Sequence, residues 1–155
     1  MRRLVPVFLL ALMPLACNRP AAPTAVSGPA SAPGWEVRYN AAAALARRGS
    51  DKALDESVRT ALLEMLDEEQ QLRNFPVKDE KGIVRKDKDG RTQPDVAAAQ
   101  LTVVSTLRAL TELHRRRPEL DLSPFKPAVA KLTQSASLGV STEAKKAEQI
   151  FTAKS

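Results

Sequence analysis

Beyond Trp35, apolar positions recur at helical spacing and polar breaks divide them into successive segments. Val37, Ala41, Ala44 and Leu45 predict a first helix, stopped by Gly49 behind Arg47 and Arg48. Ser50 or Asp51 then caps a second helix. Its apolar face is Leu54, Val58, Leu62, Met65 and Leu66, with Leu72 and Phe75 near the end. Two helices joined by so short a turn form an antiparallel hairpin. Asp95 caps the longest helix, whose stripe is Val96, Ala99, Val103, Leu107, Leu110 and Leu113 and which stops at Pro118. Ser123-Pro124 starts the next, a capping hydroxyl followed by a proline at the first helical position. Phe125, Val129, Leu132 and Ala136 mark its buried side, and Gly139 breaks it. Ser141 caps a last helix that packs through Val140, Ala144, Ala147 and Phe151.

Two stretches do not fit this pattern. PVKDEKGIVRKDKDGRTQP, residues 76–94, is charged, with two glycines and one short hydrophobic pair, Ile83-Val84. It reads as a long charged loop, functional or mobile, with a small hairpin turning at Asp89-Gly90 left open. NRPAAPTAVSGPASAPG, residues 18–34, is dominated by Pro, Ala, Ser and Gly and has no apolar period. It buries too little to order itself and reads as a tether, spanning about 20–25 Å as a coil.

Ahead of the tether, Arg2 and Arg3 precede an apolar run from Leu4 to Ala16 that ends at Cys17. A spanning helix needs about 20 apolar residues, so the run is short for a span and reads as an export signal. A cleavage pattern at Ala30-Ser31-Ala32 lies far from the apolar core. The Pro14-Leu15-Ala16-Cys17 junction resembles the signal of bacterial lipoproteins, with Ala16 and Cys17 matching and Pro14 departing from the usual leucine. That resemblance implies a signal peptide over 1–16, a lipidated Cys17 opening the linker 17–34, and a periplasm-facing place in the cell envelope. Asn18, in place of the aspartate that retains such proteins at the inner membrane, slightly favours the outer membrane. More than one acyl chain makes such an anchor durable.

Composition agrees with helices. Aromatics are 4% of the 155 residues and alanine is abundant, which argues against a β-sandwich. A single cysteine closes no internal disulfide. The expected fold is all-α: a short array of antiparallel helical hairpins, about five helices over 35–155, behind a disordered tether. WEVRYNAAAALARRGS resembles the first helix of a HEAT-like repeat, VSTEAKKAEQIF repeats its beginning, and DESVRTALLEML resembles a packing helix. The resemblance implies a HEAT- or armadillo-like array of about two and a half repeats, interrupted at 76–94. One hairpin cannot bury its stripe alone, so hairpins stack. A conventional helical bundle would carry much the same pattern.

Little of the sequence points to catalysis. His114 is the only histidine, and a tetrahedral zinc site needs three or four ligands. DKDG at 87–90 is a fragment of an EF-hand loop, with Arg85 where the first acid belongs and no closing glutamate. The chain holds 24 Lys and Arg against 18 Asp and Glu, a net charge of +6. Arg47-Arg48 and Arg115-Arg116-Arg117 close their helices, where cations meet the negative end of the dipole. Lys145-Lys146 forms a further basic pair, and the charged loop mixes six bases with four acids. The expectation is a non-catalytic scaffold that binds a protein partner and the membrane through lipidated Cys17, without cofactor or metal. Arg38, Lys78, Lys86, Arg91, Arg115 and Arg116 are the candidate partner-binding residues. The alternative is a module that binds an anionic polymer through basic helix ends; nucleic acid is not the expected partner.

Overall fold

The computed structural model describes residues 34–152, so the signal, Cys17 and nearly all of the tether lie outside the described residues. The described chain is all-α, with six α-helices: α1 (Trp35–Arg48), α2 (Glu56–Leu66), α3 (Glu68–Asn74), α4 (Val96–Arg116), α5 (Lys126–Leu132) and α6 (Leu138–Thr152). One-turn 3-10 segments at Asp51–Leu54 and Ser123–Phe125 lead into α2 and α5.

α4 is the central element and packs against both α1 and α6. All three run the same way. The Trp35 ring meets Phe75 edge-on at 4.9 Å, and the Phe75 carbonyl accepts from Asp95 N, the cap of α4, at 2.6 Å, so α1 and α4 start together. They end together as well, since a Cβ added to Gly49 would stand 3.2 Å from Cβ of Arg116. Arg108 on α4 reaches Glu143 on α6, and further along His114 meets Phe151, which sets α6 parallel to α4. The shorter α2 runs opposite to α1, with Arg38 paired to Glu64 across them. The start of α5 sits beside the end of α6 around a small hollow lined by Lys126, Val129 and Phe151. The core joins Leu62, Met65 and Leu66 to Val103, Leu107, Leu110 and Leu113, and these to Phe125, Val129, Val140 and Ala144.

Several local expectations are corrected. The sequence predicts about five helices; the described residues form six, because the second predicted helix breaks at Asp67. Its carboxylate accepts from Glu69 N and Gln70 N, restarting the chain as α3. The buried face of α1 is Tyr39, Ala42, Ala43 and Ala46. Val37 is 59% exposed, and Ala41 and Ala44 are exposed too. Four consecutive alanines satisfy either face, and the large Tyr39 side chain decides which one turns inward. Ala136 is exposed because α5 ends at Leu132. α6 opens at Ser137, whose hydroxyl and carbonyl accept from Val140 N and Ser141 N, so Gly139 lies within the first turn and Ser141 is buried. Gly49 does end α1, at φ 67°, where Ser50 N and Gly49 N close on Leu45 O and Ala46 O.

Candidate functional sites

Residues 76–94 form a built element. Val77 N donates to Gln93 O, Gln93 N to Arg85 O, and Arg85 N to Val77 O, at 2.8, 3.0 and 2.8 Å. Residues 77, 85 and 93 thus close a ring of three backbone hydrogen bonds. Three antiparallel arms radiate from it: the stem, paired at Pro76 and Pro94; one arm paired at Lys78 and Val84; another paired at Lys86 and Thr92. The two outer arms turn identically. Asp79 O accepts from Gly82 N at 2.9 Å, and Asp87 O from Gly90 N at 3.0 Å. Each aspartate's Oδ1 also accepts two backbone N–H groups, Lys81 and Ile83 in one arm, Asp89 and Arg91 in the other, all at 2.9 Å. Gly82 and Gly90 take φ of 78° and 76°, the left-handed residue that follows a tight turn in a three-residue hairpin loop. The carboxylates the sequence offers as a calcium fragment therefore organise their own turns.

This turn module carries three of the candidate residues, Lys78, Lys86 and Arg91, all exposed. Every residue from 80 to 93 is exposed, including Ile83 at 62%. No residue of the module joins an ion pair among the described residues.

Arg38 lies elsewhere, in an open polar cleft of about 520 Å³ with Trp35, Tyr39, Glu64, Asp67 and Asn74. Arg38 Nη2 donates to Glu64 Oε2 at 3.1 Å. Asn74 Nδ2 and Gln71 Nε2 both donate to the Tyr39 hydroxyl, at 3.2 and 3.4 Å. Burial pushes the Tyr39 phenol above its ordinary value, and the donor Gln71 draws it part of the way back. Gln71 is fully buried and also donates to Glu64 O at 2.7 Å, while its Oε1 has no partner among the described residues. The network ties α1 to both halves of the broken second helix.

Arg115 and Arg116 stand at the opposite end of the domain from the module, and both bond Glu112, at 2.7 and 2.6 Å. These bonds hold the Glu112 carboxyl down at about 2, with Arg115 the largest cause and Arg116 next. Arg117 is shared between Asp51, at 2.5 Å, and Glu119. The structure thus divides the candidates among three places and brings together only Lys78, Lys86 and Arg91.

Sequence reading missed an apolar groove of about 370 Å³ between α3, α4 and the start of α6. Leu72, Pro94, Val96, Ala99, Val103 and Ala136 line it, and Glu68 and Glu69 stand at its edge. Ser135 Oγ donates to Glu68 Oε1 at 2.7 Å and fixes that edge. Leu72 and Val96 carried the only signal, as members of apolar stripes that the core leaves partly uncovered.

His114 sets its ring edge-on to Phe151 at 5.8 Å, and its buried Nδ1 has no partner among the described residues. Among those residues no three His, Cys, Asp or Glu side chains gather as they would around a metal ion. No described helix is long and apolar enough to cross a membrane. Comparison with protein-family models, curated proteins and solved structures gives no match for the chain.

Proposed function

We propose that this chain is a lipid-anchored envelope protein whose helical domain is a non-catalytic scaffold that holds a protein partner. The observation that carries the reading is the groove: an apolar trough of about 370 Å³, bordered by Glu68 and Glu69, in a chain of net charge +6. Such a hollow takes a segment with an apolar anchor and a basic flank, burying the one and facing the other. The same-direction run of α1, α4 and α6, with shorter helices set against them, supports the reading of stacked helical hairpins. Anchoring at Cys17 rests on the basic start, the apolar run and the Ala16-Cys17 junction.

The anionic-polymer reading stands second, because Arg115, Arg116 and Arg117 already face carboxylates. Affinity capture from envelope extracts separates the two. Ala136 is exposed on the groove wall, so Ala136→Arg blocks the trough without entering the core. The proposal expects a partner that survives moderate salt and whose capture falls roughly tenfold or more in Ala136→Arg. Undiminished capture by that variant overturns the groove. Steep loss of wild-type capture with rising salt transfers the reading to a polyanion.

A further inference from the structure

We propose that the turn module is the face this domain turns toward an anionic bilayer, an inference that rests on the reading of Cys17 as the lipid anchor. The described chain enters at Gly34 and Trp35, and Trp35 packs on Phe75, the residue just before the stem of the module. The described chain therefore enters the domain at the end that carries the module, and a domain held by that end presents it to the surface that holds it. The linker between the proposed anchor and the domain is 17 residues, Asn18 to Gly34. An arm of the module, about four residues from ring to tip, is about 13 Å long.

The chemistry of the module suits that surface. Lys78, Lys81, Arg85, Lys86, Lys88 and Arg91 have no ion-pair partner among the described residues, and Ile83 projects beside them at 62% exposure. Two of the four acids, Asp79 and Asp87, turn back onto the N–H groups of their own turns. At the far end of the domain Arg115, Arg116 and Arg117 are matched by Glu112, Asp51 and Glu119, while Arg47 and Arg48 have no ion-pair partner among the described residues. Six cations without an ion-pair partner among the described residues thus stand together on one exposed element at the end where the chain enters. Headgroup attraction to such a mixed patch is weak for a free domain, and tethering makes it effective by raising the local concentration of surface.

The test uses the full-length lipidated protein carrying Ile83→Cys, labelled at that thiol with an environment-sensitive fluorophore. It is reconstituted into vesicles of phosphatidylcholine alone or with phosphatidylglycerol, each containing brominated lipid as quencher. The inference expects quenching in the anionic vesicles, little in the neutral ones, and reversal by salt. Reversing Lys78, Lys86 and Arg91 to Glu should weaken the contact roughly a hundredfold and abolish the quenching. Protein that floats with anionic vesicles but shows no quenching overturns the inference and leaves the anchor standing. Protein that does not float with any vesicle overturns the anchor, and the inference with it.

Discussion

Ala46 and Ala109 expose no surface, and nearby Leu110 and Leu113 expose none either. The small side chains let the helices around α4 approach closely, and the leucines fill the volume between them. Enlarging Ala109 to Leu forces side chains off their rotamers and should cost about 1–3 kcal/mol, read from the urea midpoint. Truncating Leu110 to Ala removes buried contacts and leaves a cavity, at about 2–5 kcal/mol by the same measurement. At the surface, Glu112 sits between two guanidinium groups, and its carboxyl titrates at about 2, well below the ordinary 4.5. A depressed carboxylate contributes stability above its ordinary value and loses it as pH falls toward the folded one. Carbon-detected NMR titration should place the Glu112 midpoint near 2 and return it toward the ordinary value in Arg115→Ala/Arg116→Ala. An ordinary midpoint in the wild type would remove the ion pairs from solution.

The long, regular elements were legible and the short ones less so. The α4 stripe is buried from Ala99 to Leu113, as its spacing predicts, and Asp95 caps it through Ala98 N. α1 was placed correctly along the chain but turned to the wrong face, since alanines alone specify no side. The break at Asp67 was hidden because Leu62, Met65, Leu66 and Leu72 continue one apolar spacing across it. The turn module was legible in principle. Lys78-Asp79 and Gly82 recur eight residues later as Lys86-Asp87 and Gly90, an aspartate and a glycine placed to close the same turn twice. Charge had hidden that repeat. Gly82→Ala and Gly90→Ala should each loosen one arm without unfolding the helices. An added Cβ meets nothing within 4 Å at either site, so only the positive φ resists it, at about 1 kcal/mol. Faster exchange of the Arg85 and Gln93 amides, with the helical circular dichroism unchanged, is the expected sign. The groove was not legible, because a trough depends on which neighbours an apolar side chain lacks, and spacing along one helix does not contain that.

At the scale of the whole molecule, the helices form one core and the module stands apart from it, closed at its root by the Pro76–Pro94 pair and the Asp95–Phe75 hydrogen bond. Its outer residues contribute no buried side chain to the core. A structured projection that the core does not need is suited to contact, whether with a membrane or with a partner held beside it in the groove. The most direct measurement replaces residues 77–93 with a short Gly-Ser linker between Pro76 and Pro94 and follows thermal unfolding by circular dichroism. The account predicts the same helical signal and a midpoint within about 4 °C of the wild type, the equivalent of about 1 kcal/mol or less. Loss of helix, or a midpoint lowered by about 10 °C or more, would show that the module holds the fold together and would contradict its assignment to contact.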